Sequence, residues 1–91
     1  MSTPADAEIY ADLGRLLGAL RGQDFTATIA PETRFFGDLG LASIDAVVLG
    51  EALQRHYGRS LPFADLMAEL GSRADRDLTL GELVAFLRRN L

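Results

Sequence analysis

The chain has 91 residues, of which 48% are apolar and 24% charged, a balance that points to one globular domain, residues 1–91, rather than a disordered chain. It has no cysteine and a single histidine, His56, so disulfides, thiolate metal sites and a cysteine nucleophile are excluded and no histidine cluster can form. The net charge of −4 disfavours nucleic acid as a partner and favours a basic protein surface.

The N-terminal Met1-Ser2-Thr3-Pro4-Ala5-Asp6 has neither a basic region nor an apolar run of signal-peptide length. No window approaches the roughly 18 continuous apolar residues of a membrane span. These features predict a soluble, cytoplasmic protein with no membrane partner. Thr3 is placed to cap a first helix, with Pro4 at its first position and Asp6 in the first turn. Ile9, Leu13, Leu16, Leu17 and Leu20 follow at helical spacing and predict one amphipathic helix ending at Arg21-Gly22. Gly14 and Gly18 inside it either admit a neighbouring backbone or are tolerated, at up to about 1 kcal/mol each.

Residues 23–42 keep no period and are punctuated by Pro31, Gly37, Asp38 and Gly40. They nevertheless hold Phe25, Ile29, Phe35, Phe36, Leu39 and Leu41, so this long connection is expected to lie on the core. A second helix is predicted from Ser43 to Tyr57, with Gly58 just beyond its end. Its inward stripe is assigned to Ile44, Val47, Leu49, Ala52, Leu53 and Tyr57. Asp45, Glu51 and Arg55 are assigned to water, and Val48 to an exposed apolar contact. Gly50, in mid-helix, conflicts with propensity and implies a packing purpose.

Pro62 opens a short helix with Phe63, Leu66, Met67 and Leu70 as its apolar positions and Gly71 as its stop. Residues 72–77 are expected to form a solvated loop. Thr79 and Glu82 make a capping box for a last helix with the stripe Leu80, Leu83, Val84 and Leu87. Arg88 and Arg89 sit at its negative end. No strand alternation occurs. The expected fold is all-α, a four-helix bundle of three main helices and one short helix with a long first connection.

Ser43 stands out within this frame. A helix N-terminus exposes unpaired N–H groups and partial positive charge, which favours an anion and a phosphate above all. A serine there can be a cap and nothing more, or it can hold a phosphodiester whose charge is already compensated. Asp45, two residues on, interacts well with the dipole and puts an acid beside the hydroxyl. Asp38 is a turn or capping residue, or a contact for a metal or a transferase. A serine hydrolase would need a base, an orienting acid and an oxyanion hole. The G-x-S-x-G elbow is absent, since Ile44-Asp45 follows Ser43, and His56 lies about 20 Å along the same helix. No catalytic residue and no metal site are assigned.

The run Asp38-Leu39-Gly40-Leu41-Ala42-Ser43-Ile44-Asp45 resembles the attachment motif of acyl carrier proteins, D-x-G-x-D-S-[LI]-[DE]. Ile29-Ala30-Pro31-Glu32-Thr33-Arg34-Phe35-Phe36 resembles the segment before that motif, and Leu78-Thr79-Leu80-Gly81-Glu82-Leu83-Val84 the start of the family's last helix. The likeness spans nearly the whole chain and implies a free-standing carrier rather than an enzyme. By this resemblance a phosphopantetheinyl transferase, with magnesium, would move 4′-phosphopantetheine from coenzyme A to the Ser43 hydroxyl. The thiol of that arm would bear acyl groups as thioesters, exchanged with acyl-loading and ketosynthase-type enzymes. Asp38, Leu41, Ile44, Asp45, Val48 and Glu51 would form the partner face of a monomer, and Gly50 could leave room beside a stowed acyl chain.

Two departures from the family pattern carry information. Ala42 stands where the family most often has aspartate, and the second helix is poor in acid, with Asp45 and Glu51 offset by Arg55. The first removes a charge at the transferase docking site, and the second points to a specialised polyketide or related pathway, such as antibiotic biosynthesis, rather than to housekeeping fatty-acid synthesis. Gly40-Leu41 stands where peptidyl carriers usually have two glycines. The alternatives are a peptidyl or aryl carrier of a nonribosomal-type pathway, and an unmodified helical interaction module that binds through Ile44 and Val48.

Overall fold

The computed structural model describes residues 4–91. Helices α1 (Asp6–Arg21), α2 (Ser43–Tyr57), α3 (Phe63–Gly71) and α4 (Leu80–Asn90) follow in chain order, and no strand forms among the described residues. This is the all-α arrangement of three main helices and one short helix, with a long first connection, that the apolar spacing predicts.

The first helix starts two residues later than Pro4 implies. Ala5 is its N-cap, extended and without a side-chain cap, and its carbonyl accepts the N–H groups of Glu8 and Ile9 at 3.0 and 3.1 Å. Thr3, the expected cap, lies outside the described residues. Asp6 is the residue that anchors this end, because it complements the dipole and pairs with Arg88 of α4 at 3.0 Å. Ile9, Leu13 and Leu17 are fully buried, with Leu16 and Leu20 on the flanks. The helix ends as expected at Gly22, which takes φ +63° while its N–H donates to the Gly18 carbonyl. Gly18 lets the Gln23 carbonyl come close, since a Cβ there would stand 3.1 Å from that oxygen.

The connection after α1 lies on the core. Phe25, Phe35, Leu39 and Leu41 are buried, and Ile29 and Phe36 pack against them. Its far end is fastened to the start of α4: Phe35 N–H donates to the Leu78 carbonyl at 2.8 Å, and Leu80 N–H to the Thr33 carbonyl at 2.9 Å. This makes a single antiparallel bridge between Arg34 and Thr79.

The loop before α4 is not simply solvated, as its charged composition suggests. Asp77 accepts the N–H groups of Phe36 and Gly37 at 3.0 and 2.9 Å, and its carboxylate lies 3.3 Å from Arg34 Nε. Burial pushes the Asp77 carboxyl up, but the backbone donors of Phe36, Leu78 and Gly37 together with Arg34 outweigh it and hold the group below the usual range. Arg73 likewise bridges Glu69 and Glu82. Asp77 finds donors 40 and 41 residues away in sequence, which local composition does not reveal.

The end of α2 and the start of α4 are as predicted, whereas α3 runs through Gly71, its expected stop, and is capped by Ser72. Gly58 closes α2 with φ +65°, and Pro62 precedes α3. Thr79 and Glu82 form the predicted box at α4, whose buried positions are Leu80, Leu83, Val84, Leu87 and also Phe86. The Phe86 ring lies 5.1 Å, centre to centre, from Phe63 of α3, which is how the short helix meets α4. No helix among the described residues is long and apolar enough to cross a membrane.

Candidate functional site

The site begins in the turn that delivers the chain to α2. Asp38 accepts the Arg34 N–H at 2.8 Å and donates its own N–H to the Arg34 carbonyl at 3.0 Å, so it is an exposed turn residue. Gly40 takes φ +68°, a conformation that side-chain-bearing residues rarely adopt. Leu39 and Leu41 on either side of it both drop into the core, which anchors the turn.

Ala42 is the N-cap of α2 and has no side-chain oxygen to cap with. The backbone around it is held by Asp45 instead. Asp45 Oδ2 accepts the Ala42 N–H at 2.8 Å, while the Ala42 carbonyl accepts the N–H groups of Asp45 and Ala46 at 3.0 and 3.3 Å. Ser43 is therefore the first helical residue and not the cap. Its hydroxyl is exposed and takes no part in closing the helix. The N–H groups of Ser43 and Ile44, in the first turn, have no carbonyl within the helix to bond. An exposed hydroxyl beside two free donors, at the positive end of a helix dipole, can be esterified by a phosphate and hold the resulting anion. Of the other described serines, Ser72 donates to the Glu69 carbonyl, and Ser60 lies in the link between α2 and α3.

The family model of the phosphopantetheine attachment site matches residues 8–87, nearly the whole chain, with Ser43 inside the match. The chain belongs to that family. Comparison with curated proteins and with solved structures returns no match. As a carrier of this family it takes 4′-phosphopantetheine as a covalently bound cofactor. Carriers of this kind work with phosphopantetheinyl transferases and with biosynthetic enzymes. The first turn of α2 fits that cofactor, because it offers a hydroxyl to esterify and N–H donors for the phosphate.

The outward face of α2 and the turn before it correct the sequence expectation at four residues. Ile44 and Val47, expected in the inward stripe, are 65% and 52% exposed, next to Val48 at 37%. Asp45, expected in water and on the partner face, is nearly buried and lies 3.4 Å from Arg21 Nη1 of α1. Leu41, also expected to meet partners, is in the core. The reason is helical register. Asp45, Leu49 and Leu53 recur at a spacing of four with Gly50 beside them, which turns 44, 47, 48 and 51 outward. Of the expected face, Asp38, Ile44, Val48 and Glu51 remain exposed, and Val47 joins them.

A groove of about 270 Å³ runs between α2 and α3, lined by Ala46, Val47, Gly50, Phe63, Ala64 and Met67 among others. It opens on Ala46 and Val47, three and four residues after Ser43 and thus on the same side of the helix. Gly50 serves packing here, since a Cβ at that position would stand 3.3 Å from the Phe63 ring. A larger cleft of about 520 Å³ lies between α1 and the long connection, lined by Tyr10, Gly14, Arg15, Gly18 and Ile29, and Ser43 is not part of it.

His56 is at the other end of α2. Its Nε2 lies 3.3 Å from Asp12 Oδ2, which also accepts the Tyr57 hydroxyl at 2.9 Å, so this end of α2 is fastened to α1. Burial and the neighbouring Asp12 push the Tyr57 hydroxyl well above its usual range.

Proposed function

We propose that Ser43 bears the 4′-phosphopantetheine arm and that the chain shuttles acyl intermediates between enzymes of a polyketide or related specialised pathway, catalysing no step itself. The observation that carries this reading is the Ser43 hydroxyl, exposed at the first position of α2 and left out of the cap. In the transfer, Ser43 Oγ attacks the phosphorus of coenzyme A that bears the pantetheine. A P–O bond forms at Ser43 as the bond to adenosine 3′,5′-bisphosphate breaks, and the hydroxyl proton leaves to a base of the transferase. The N–H groups of Ser43 and Ile44 then face the phosphodiester charge. The arm supplies a terminal thiol that holds acyl groups as thioesters.

Two features support a specialised partner over the housekeeping system. Ala42 brings no charge to the attachment turn, and Arg21 neutralises Asp45, leaving Glu51 as the acid on an outward face of Ile44, Val47 and Val48. A partner matched to that face offers an apolar patch before a basic one. The groove beside Ser43 is apolar enough to shelter a short, reduced chain.

Intact mass after incubation with coenzyme A, magnesium and a broad-specificity transferase tests the attachment. One arm on the native chain and none on Ser43→Ala is expected. No gain on the native chain leaves the unmodified interaction module, and an equal gain on Ser43→Ala moves the site elsewhere. Loading the modified chain with malonyl or with aminoacyl groups through the matching enzymes then separates a polyketide carrier from a peptidyl or aryl carrier.

A further inference from the structure

The last residue of α1 reaches the attachment turn from outside it. Arg21 Nη1 lies 3.4 Å from Asp45 Oδ2, and that same oxygen accepts the Ala42 N–H at 2.8 Å. Asp45 is thus held between a guanidinium on one side and the backbone of the residue before Ser43 on the other. Ala42 has no capping atom of its own, so Asp45 is the side chain that holds the Ala42 N–H. Arg21 itself is well placed for the task. It ends α1 beside the negative pole of that helix, and the Gly22 cap fixes where its backbone stops.

We infer that Arg21 is a positioning residue for modification at Ser43: through Asp45 it fixes the Ala42–Ser43 turn and withholds the Asp45 carboxylate from incoming partners. The inference rests on Ser43 being the attachment residue, and it deepens that reading by naming what holds the hydroxyl in place. A carboxylate with a free choice of rotamer would leave the Ala42 N–H part of the time. The guanidinium holds it on the N–H, with charge-assisted contacts on both sides. The hydroxyl is then presented in one geometry, and small losses of such geometry cost rate rather than binding. The pair also cancels one negative charge beside the position where the phosphodiester forms, so the anion meets the helix dipole without an opposing carboxylate.

The test uses the whole chain in two measurements on wild type, Arg21→Gln, Arg21→Lys and Asp45→Asn. Hydrogen exchange of the Ala42 amide in the unmodified chain reads the clamp directly and does not depend on any role for Ser43. Arg21→Gln and Asp45→Asn should exchange about tenfold faster at that amide, with Arg21→Lys close to wild type. Transferase kinetics read the consequence: Arg21→Gln should lower kcat by about tenfold with KM unchanged, and Arg21→Lys should recover most of it. Unaltered Ala42 exchange in Arg21→Gln overturns the clamp. A raised KM with kcat intact overturns the positioning role, since Arg21 would then be a direct contact of the transferase. Equal slowing in Arg21→Gln and Arg21→Lys, with a matching fall in Tm, reduces Arg21 to a structural residue. If the wild-type chain takes no arm at all, the carrier reading of Ser43 fails, while Ala42 exchange still decides whether the clamp exists.

Discussion

At the start of α4, Thr79 is the cap and Glu82 the third residue in: the Thr79 hydroxyl accepts the Glu82 N–H at 3.2 Å and the Glu82 carboxylate accepts the Thr79 N–H at 3.2 Å. At the start of α2, Ala42 is the cap and Asp45 the third residue in. The carboxylate half of the arrangement survives there, at 2.8 Å, and the hydroxyl half is missing. The hydroxyl has moved one residue forward to Ser43, where it is exposed. One hydroxyl is thus used up in closing a helix, and the other is kept out of the closure and free to react. A shift of one residue in register separates a structural hydroxyl from a modifiable one.

The largest effect that can break this comparison comes from the hydroxyl itself. Ser43→Ala should abolish attachment and change stability by less than about 0.5 kcal/mol, because no cap is lost. Intact mass and a thermal melt check both halves. The double variant Ala42→Ser with Ser43→Ala, which puts the hydroxyl in the cap, should stay unmodified. If it takes the arm, register is not what governs reactivity. Thr79→Ala should still be modified but should lose about 1 kcal/mol, or about 5 °C in Tm, and an unchanged melt would mean that the box does not hold α4. Ala42→Ser alone restores the missing half of the box and should raise the urea midpoint by the equivalent of somewhat under about 1 kcal/mol. A midpoint at or below wild type would show that Asp45 already does all the capping α2 can use.

The smallest effect is in acid. Burial pushes the Glu82 carboxyl up, but the Thr79 N–H, Arg73 and the Thr79 hydroxyl outweigh it and leave the group below its usual range. A lowered carboxyl adds stability that is fully present above its unfolded value of about 4.3 and is lost as pH falls through the folded one. Urea midpoints of wild type and Glu82→Gln should therefore converge between neutral pH and the region below about 4. A constant gap across that range would show that the charge on Glu82 contributes nothing.

Some of this was legible in the chain and some was not, for physical reasons. The ends of α1 and α2 are readable because Gly22 and Gly58 supply the left-handed residues that close them. The box at Thr79 is readable because both partners lie within four residues. The inward face of α2 is not, because Ile44, Ala46, Val47, Val48, Leu49 and Leu53 put apolar atoms on every side and the spacing alone selects none. Asp45 and Asp77 read as solvent-facing acids. Beside the near amides of Ala42 and Leu78, their donors are Arg21 and the Phe36 and Gly37 amides, which lie 24, 41 and 40 residues away. Ser43 is legible from its place at a helix start. In the sequence Ala42 reads as a missing acid, whereas in the structure it is an empty cap.

The bridge between Arg34 and Thr79 has a mechanical consequence. It works as a buckle that closes residues 35–78 into a ring, and the attachment turn, α2, α3 and the groove all lie on that ring, while α1 and α4 lie outside it. The short α3 is the nine-residue helix of that ring, and it meets α4 through the Phe63 and Phe86 rings. Hydrogen exchange should accordingly show α3 opening at lower free energy than α1 or α4. In that outcome α3 is the link of a closed belt that flexes first, while the buckle at Arg34 and Thr79 stays fastened.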